Sequence, residues 1–210
     1  MRFFFIYNFE CDPEEDEITM SNAVSKPAET RISSGMKYSL MVLAGVAILT
    51  ASAKITVPSW PVPMTLQTMA IMAIALATGP RVACATMLGY LAAGAAGLPV
   101  FAGTPERGIG LAYMVGPTGG YLLGYLIASW LVGALAQGRG MLARFGIMMA
   151  GMIPVYLLGL AWLAAFVPLE KVAEYGFTPF ILGDTIKIAL VALGSAACTR
   201  FIKHNKGGTA

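Results

Sequence analysis

From residue 37 to residue 202 the sequence runs through six apolar stretches, and only one of them carries a carboxylate. The stretches cover residues 37–53, 64–78, 80–97, 118–137, 141–167 and 179–202. A helix needs about 20 apolar residues to cross a bilayer, and a shorter one must be shielded by its neighbours. Composition agrees with this reading. Of the 210 residues, 57% are hydrophobic and 12% are charged, against about 25% charged in a soluble domain. Such a chain cannot coat a water-soluble globule. The pattern predicts an all-α integral membrane protein, a bundle of about six transmembrane helices.

Punctuation sets the boundaries. Pro58, Pro61 and Pro63 exclude a helix between the first and second stretches. Gly79-Pro80 makes a tight turn between the second and third, and Gly138 with Gly140 separates the fourth from the fifth. Thr178-Pro179 offers the last stretch an N-cap and a favoured first-turn proline. Pro154 lies inside the fifth and predicts a kink or a break.

The charges divide the chain into three parts. Seven of the 11 acids precede residue 30, which leaves Glu106, Glu170, Glu174 and Asp184. Residues 1–36 therefore read as a disordered cytoplasmic extension. Residues 1–9 are apolar but too short to span, and an acidic run follows rather than a cleavage site. Met20 is an alternative start, with residues 1–19 an upstream extension. Residues 37–202 form the transmembrane domain, and 203–210 a cytoplasmic tail. With the N-terminus inside, the inner segments carry Lys26, Arg31, Lys37, Arg81, Arg139, Arg144, Arg200, Lys203 and Lys206. The outer ones carry Lys54, Arg107 and Lys171. This excess of inner cations predicts a multi-pass protein of the cytoplasmic (inner) cell membrane with both termini cytoplasmic. It also explains the basic body without nucleic acid. The longer loops, 98–117 and 168–178, then face outward.

Catalytic and metal chemistry have little to work with. Cys11, Cys84 and Cys198 are far apart, and the one histidine, His204, lies in the C-terminal tail. No metal or cofactor is expected. An intramembrane enzyme would need a nucleophile or metal set inside the bundle, and neither is present.

Three places carry polar groups that apolar helices do not need. Asp184 and Lys187 lie three residues apart on one face of the last stretch. At 1.5 Å per residue from Pro179 they sit about 8–12 Å into that helix, in the outer half of the membrane. Charges at such depth are costly and by default serve a ligand or pathway. A structural ion pair is the alternative. Loop 98–117 is long, glycine-rich and aromatic, and segment 116–120, with Thr118, leads into a helix whose free N–H groups suit an anion. A loop simply packed on the bundle explains it equally well. Gln67 follows Thr65 near the start of the second stretch and needs a polar partner, from packing or from a ligand. On the first stretch, Ala47 and Ala51 have the spacing that permits close helix approach.

Taken in order, the segments Val62-Pro63-Met64-Thr65-Leu66-Gln67-Thr68, Gly79-Pro80-Arg81, Gly97-Leu98-Pro99-Val100-Phe101-Ala102-Gly103, Gly116-Pro117-Thr118-Gly119-Gly120-Tyr121 and Gly183-Asp184-x-x-Lys187 resemble the BioY family. This family comprises the biotin-specific substrate-binding (S) components of energy-coupling factor (ECF) transporters. The likeness covers residues 37–202. It implies a six-helix bundle that captures biotin from outside, energised by a coupling transmembrane protein and paired ABC-type ATPases, with membrane lipid around it. It also implies a site near the outer surface built from Phe101, Gly103, Tyr113, Asp184 and Lys187, with Tyr90 lining it. Ala44, Ala47 and Ala51 would form the docking face for the coupling protein. Independently, a carboxylate and an ammonium on one face match the N–H donors and carbonyl of biotin's ureido ring. An S component for thiamine or riboflavin, or an autonomous biotin carrier, would share this sequence pattern.

Overall fold

The computed structural model describes residues 34–57 and 61–207, with side-chain surroundings given up to residue 201. Most of the extension expected over 1–36, the Met20 start, Pro58 and the side chain of His204 lie outside the described residues.

Among the described residues seven helices and one small hairpin follow each other in the order α1 (Ser34–Lys54), β1 (Thr56–Val57), β2 (Met64–Thr65), α2 (Gln67–Ala95), α3 (Leu111–Met114), α4 (Gly119–Leu135), α5 (Met141–Leu163), α6 (Leu169–Gly176) and α7 (Thr178–Gly207). Among the described residues four helical stretches are long and apolar enough to cross a membrane. They are α1, α2, α5 and the run Leu169–Phe201, and α4 is a shorter apolar helix. The protein is an all-α membrane protein.

The second and third apolar stretches are the two arms of α2. They meet at Gly79, whose φ of 80° and ψ of 178° break the helical path just before Pro80. That backbone suits glycine alone. The end of α4 presses into this bend: a Cβ on Gly133 would lie 2.7 Å from the backbone nitrogen of Pro80.

Other boundaries depart from expectation. The first turn of the expected helix at 64–78 is instead strand β2, paired antiparallel with β1 as Thr56 to Thr65 and Val57 to Met64. Prolines 61 and 63 favour this extended path. Pro154 neither ends nor splits α5, which runs unbroken to Leu163. The outer loop expected at 168–178 is mostly the short helix α6. α1 starts at Ser34 rather than Lys37, and α7 continues past Ile202 to Gly207.

The core lies between α2, α4, α5 and α7, around Met72, Ala128, Val132, Met148, Leu163 and Ile188, all fully buried. A second cluster joins α1, α2, α4 and the 97–117 loop through Leu49, Met87, Tyr90 and Phe101. Side chains facing outward are large and apolar too: Leu142 is 80% exposed, Leu182 70% and Leu157 65%. A bilayer covers such a surface, and water does not.

Between apolar helices in lipid, association depends on close packing rather than on hydrophobic burial. The α4–α5 seam supplies it through Gly120, Gly124 and Ala128, spaced four apart on one face. A Cβ on Gly124 would lie 2.4 Å from the Cα of Val155, and one on Gly120 would lie 2.2 Å from the carbonyl oxygen of Leu158. Backbone meets backbone at both points. Gly124→Leu is therefore expected to cost about 1–3 kcal/mol or more by overpacking. It should lower the thermal midpoint of the detergent-purified protein by several degrees. Gly146→Ala, whose new Cβ meets nothing within 4 Å, should hold or raise the midpoint through helix propensity, by up to about 1 kcal/mol. Equal responses of the two variants would contradict the seam.

Candidate functional site

One end of the bundle is closed by a knot of polar ties. Lys54, at the end of α1, donates through Nζ to Phe101 O (3.0 Å), Thr104 O (3.1 Å) and Thr104 Oγ1 (2.8 Å). Arg107 Nη1 donates to Pro61 O at 3.0 Å, so the long loop is fastened to the hairpin segment. Trp162 Nε1 donates to Gly116 O at 3.0 Å and ties the loop's far end to α5.

Beneath this cover the helices part around a cavity of about 530 Å³, counting the space at its open mouth. Its polar lining comes from six elements: Thr65 of β2, Gln67 and Thr68 of α2, Tyr113 of α3, Tyr121 and Tyr125 of α4, Tyr156 of α5 and Asp184 of α7, with Thr118 just ahead of α4. Apolar walls include Val62, Ala102, Leu122, Val155 and Phe180. An apolar chamber with a few convergent polar groups is the usual form of a small-molecule site.

Asp184 is the only acidic side chain in that lining, and it is 5% exposed. Tyr156 donates its hydroxyl to Oδ2 at 2.7 Å. Lys187 Nζ donates to Oδ1 at 3.1 Å and also to the backbone oxygen of Thr65 at 2.7 Å. The ammonium therefore neutralises the carboxylate and ties α7 to the hairpin. Each carboxylate oxygen accepts one side-chain donor in these bonds and has a further lone pair.

Gln67 is held from both sides. Its backbone N–H donates to Thr65 Oγ1 (3.2 Å), its Oε1 accepts from Thr65 Oγ1 (3.3 Å), and its Nε2 donates to the Tyr90 hydroxyl (2.8 Å). Tyr90 in turn donates to Val100 O at 3.1 Å. Thr68 Oγ1 and the Tyr125 hydroxyl share a hydrogen bond of 2.7 Å. Tyr121 donates to Gly176 O at 2.8 Å. Burial pushes the Tyr113 hydroxyl above the usual tyrosine range, against the pull of Thr118 and Arg107, so it stays protonated and able to donate.

The residues singled out from sequence fall into three groups. Gln67, Tyr113, Thr118 and Asp184 line the cavity. Lys187, Tyr90 and Phe101 stand behind the lining. Phe101 stacks on Tyr113 with ring centres 4.7 Å apart and meets Tyr90 edge-on at 5.4 Å, so the pair holds a lining aromatic in place. Gly103 takes a left-handed turn (φ 68°) against Arg107, and its neighbour Ala102 reaches the cavity instead. Ala44, Ala47 and Ala51 are all exposed on α1, away from the cavity. Of the N–H groups considered for an anion, that of Gly119 is occupied by Gly116 O.

Sequence reasoning missed Tyr121, Tyr125 and Tyr156. Their signal was available: hydroxyls inside apolar stretches need partners, and Tyr121 and Tyr125 are one helical turn apart.

Comparison with known proteins gives one consistent result. The family model described as "BioY family" matches residues 22–204. The chain is similar to "Probable biotin transporter BioY" of Pyrococcus horikoshii, 37% identical over 153 residues, covering 73% of this chain and 90% of that protein. It is 35% identical over 159 residues to "Biotin transporter BioY" of Thermotoga maritima, covering 73% and 91%. Among solved structures it resembles the "S-component for biotin from an ECF-type ABC transporter". The TM-score is 0.67 at 26% identity, covering 79% of this chain and 92% of that one.

Removing one partner of a buried ion pair strands the other. Lys187→Met should therefore cost about 3–5 kcal/mol. Adding Asp184→Asn should recover part of that loss, a non-additivity that a double-mutant cycle of thermal midpoints reads directly. Simple additivity would show that the two side chains act independently.

Proposed function

This chain belongs to the BioY family, and from that premise we propose that it is a transporter subunit that binds biotin from the outer side of the cytoplasmic membrane and hands it to an ECF-type ABC transport module. The observation that carries the reading is Asp184: a buried carboxylate, held by Tyr156 and Lys187, in the wall of a cavity lined by hydroxyls, one amide, aromatic rings and aliphatic side chains.

Biotin's ureido ring presents two N–H donors and one carbonyl. In the proposed complex Asp184 accepts from an N–H, and the carbonyl takes a donor from among Lys187, Tyr156 and Gln67. Lys187 keeps its contact with Thr65 O in doing so, because an ammonium has three protons. The fused rings lie against Tyr113, Tyr121 and Phe180, and Phe101 and Tyr90 hold this aromatic wall from behind. The carboxylate end is assigned to the Tyr113 and Thr118 hydroxyls, which line the cavity. Gly103 serves as the turn that brings Ala102 to the cavity. These roles require no cofactor, and the bundle performs no covalent chemistry.

Both termini are placed in the cytoplasm on the lysine and arginine balance, and the transmembrane domain is taken to begin with α1 at Ser34. The exposed row of Ala44, Ala47 and Ala51 on α1 is the proposed docking face for the coupling transmembrane protein, since small side chains permit close helix contact. ATP hydrolysis takes place in partner ATPases.

Three measurements test this. Mass spectrometry of small molecules carried through mild-detergent purification should find biotin, and recovery of thiamine or riboflavin in its place would overturn the assignment. With labelled biotin, Asp184→Asn should weaken binding about tenfold to a hundredfold, the worth of one charged hydrogen bond. Ala47→Trp should leave biotin binding intact and abolish co-purification of the coupling protein. Assembly unaffected by that substitution would remove α1 from the docking face.

A further inference from the structure

At the end of the bundle opposite the Asp184 cavity, α2, α5 and α7 part around a second groove of about 1020 Å³, open along one side. Leu76 and Ala77 of α2 and Val191, Gly194 and Cys198 of α7 give it apolar walls. Arg144, in the first turn of α5, stands in it with Ser195 and Thr199. The guanidinium donates through Nη1 to Ser195 Oγ at 3.1 Å. Its Nε is buried and has no hydrogen-bond partner. Both hydroxyls already spend their own protons on backbone oxygens, Ser195 on Ala192 O at 2.8 Å and Thr199 on Ser195 O at 2.7 Å. Among the described residues no carboxylate forms an ion pair with Arg144. Asp184, the acid on α7, is eleven residues from Ser195, about 16 Å along the helix.

A guanidinium keeps its charge inside a protein, so a partly buried one calls for an anion. Apart from Arg144, Ser195 and Thr199 the lining is apolar, and Leu190 and Leu193, which precede Val191 and Gly194 in α7, are each 55% exposed. That flank belongs to the surface a bilayer covers. A ligand that fits has an anionic head and an apolar tail and arrives from within the membrane. We propose that this groove holds a membrane lipid with a net-anionic phosphodiester headgroup, its phosphate on Arg144 and one acyl chain along Leu76, Val191 and Gly194. A planar guanidinium offers a phosphate two parallel N–H bonds, and a phosphate seated on Nε requires the Arg144 side chain to turn toward the groove, because Nε is buried in this structure. Bound there, the lipid fills the space between α2, α5 and α7 and links three helices at the end of the bundle remote from the cavity.

The test is lipid retention by the full-length protein in mixed micelles, read by native mass spectrometry with phosphatidylglycerol and phosphatidylcholine at equal mole fraction. One basic residue near an anionic headgroup contributes about 1 kcal/mol, so wild type should retain phosphatidylglycerol about fivefold over phosphatidylcholine. Arg144→Gln should bring the ratio near one. Gly194→Leu keeps Arg144 and adds bulk where a Cβ meets nothing within 4 Å, and it should expel the lipid. Labelled-biotin binding, or the thermal midpoint if biotin is not the ligand, reports whether each variant is folded. Should Arg144→Gln fail to fold, Gly194→Leu carries the test alone. Equal retention of the two lipids by wild type overturns the proposal, as does an unchanged ratio in a folded Arg144→Gln or Gly194→Leu. Displacement of the lipid by millimolar inorganic phosphate would mark a free-anion site instead. Loss of a partner protein from Arg144→Gln with lipid retention intact would assign the arginine to a protein acid. Either result also overturns it.

Discussion

A carboxylate buried in an apolar bundle is the costliest group in this protein, and the architecture at one end is organised around making it tolerable. Desolvating such an ion costs several kcal/mol unless a partner and hydrogen bonds are in place. Asp184 receives a proton donor from α5 through Tyr156 and an ammonium from its own helix through Lys187. Lys187 also reaches the backbone of Thr65. Three elements, α5, α7 and the hairpin, are thereby fixed around one charge, and the cavity lies where they meet. Stability and recognition draw on the same atoms.

The surrounding fold keeps that charge in a defined place by rigid contact. Backbone-to-backbone approach at Gly120 and Gly124 sets the distance between α4, which carries Tyr121 and Tyr125, and α5, which carries Tyr156. The bend at Gly79 lets two helical arms come from one continuous stretch. It puts Gln67 at the cavity end of the first arm and Tyr90 far along the second, within hydrogen-bonding reach of each other. The 97–117 loop then covers the end, held by Lys54 and Arg107. Membrane-facing apolar side chains need only match lipid, whereas the carboxylate and the tyrosine hydroxyls of the cavity gather at this end.

Much of this was legible in the sequence because the bilayer imposes strong rules on apolar length, proline and charge. The six stretches, the Gly79 turn and the singular position of Asp184 all follow from those rules. Tyrosines were harder to place: a tyrosine in an apolar helix pairs with backbone, lipid headgroup or ligand, and spacing alone does not tell which. Tyr90 and Phe101 read as lining and are a supporting layer, because which side of a loop faces a cavity depends on contacts such as Gly94 against the Phe101 ring. The hairpin and α6 were invisible for a different reason. They are short elements at the membrane edge, fixed by tertiary contacts such as Leu66 N to Ile55 O rather than by any periodicity.

The central claim is that Asp184 is where the ligand is recognised, and a structure of the protein with biotin bound tests it most directly. The account predicts a ureido nitrogen within about 3 Å of the Asp184 carboxylate, with Tyr113, Tyr121 and Phe180 against the rings. Biotin bound elsewhere, or in this cavity with its ureido ring turned away from Asp184 and the Tyr156 and Lys187 bonds undisturbed, would contradict it and leave the buried pair a purely structural clamp.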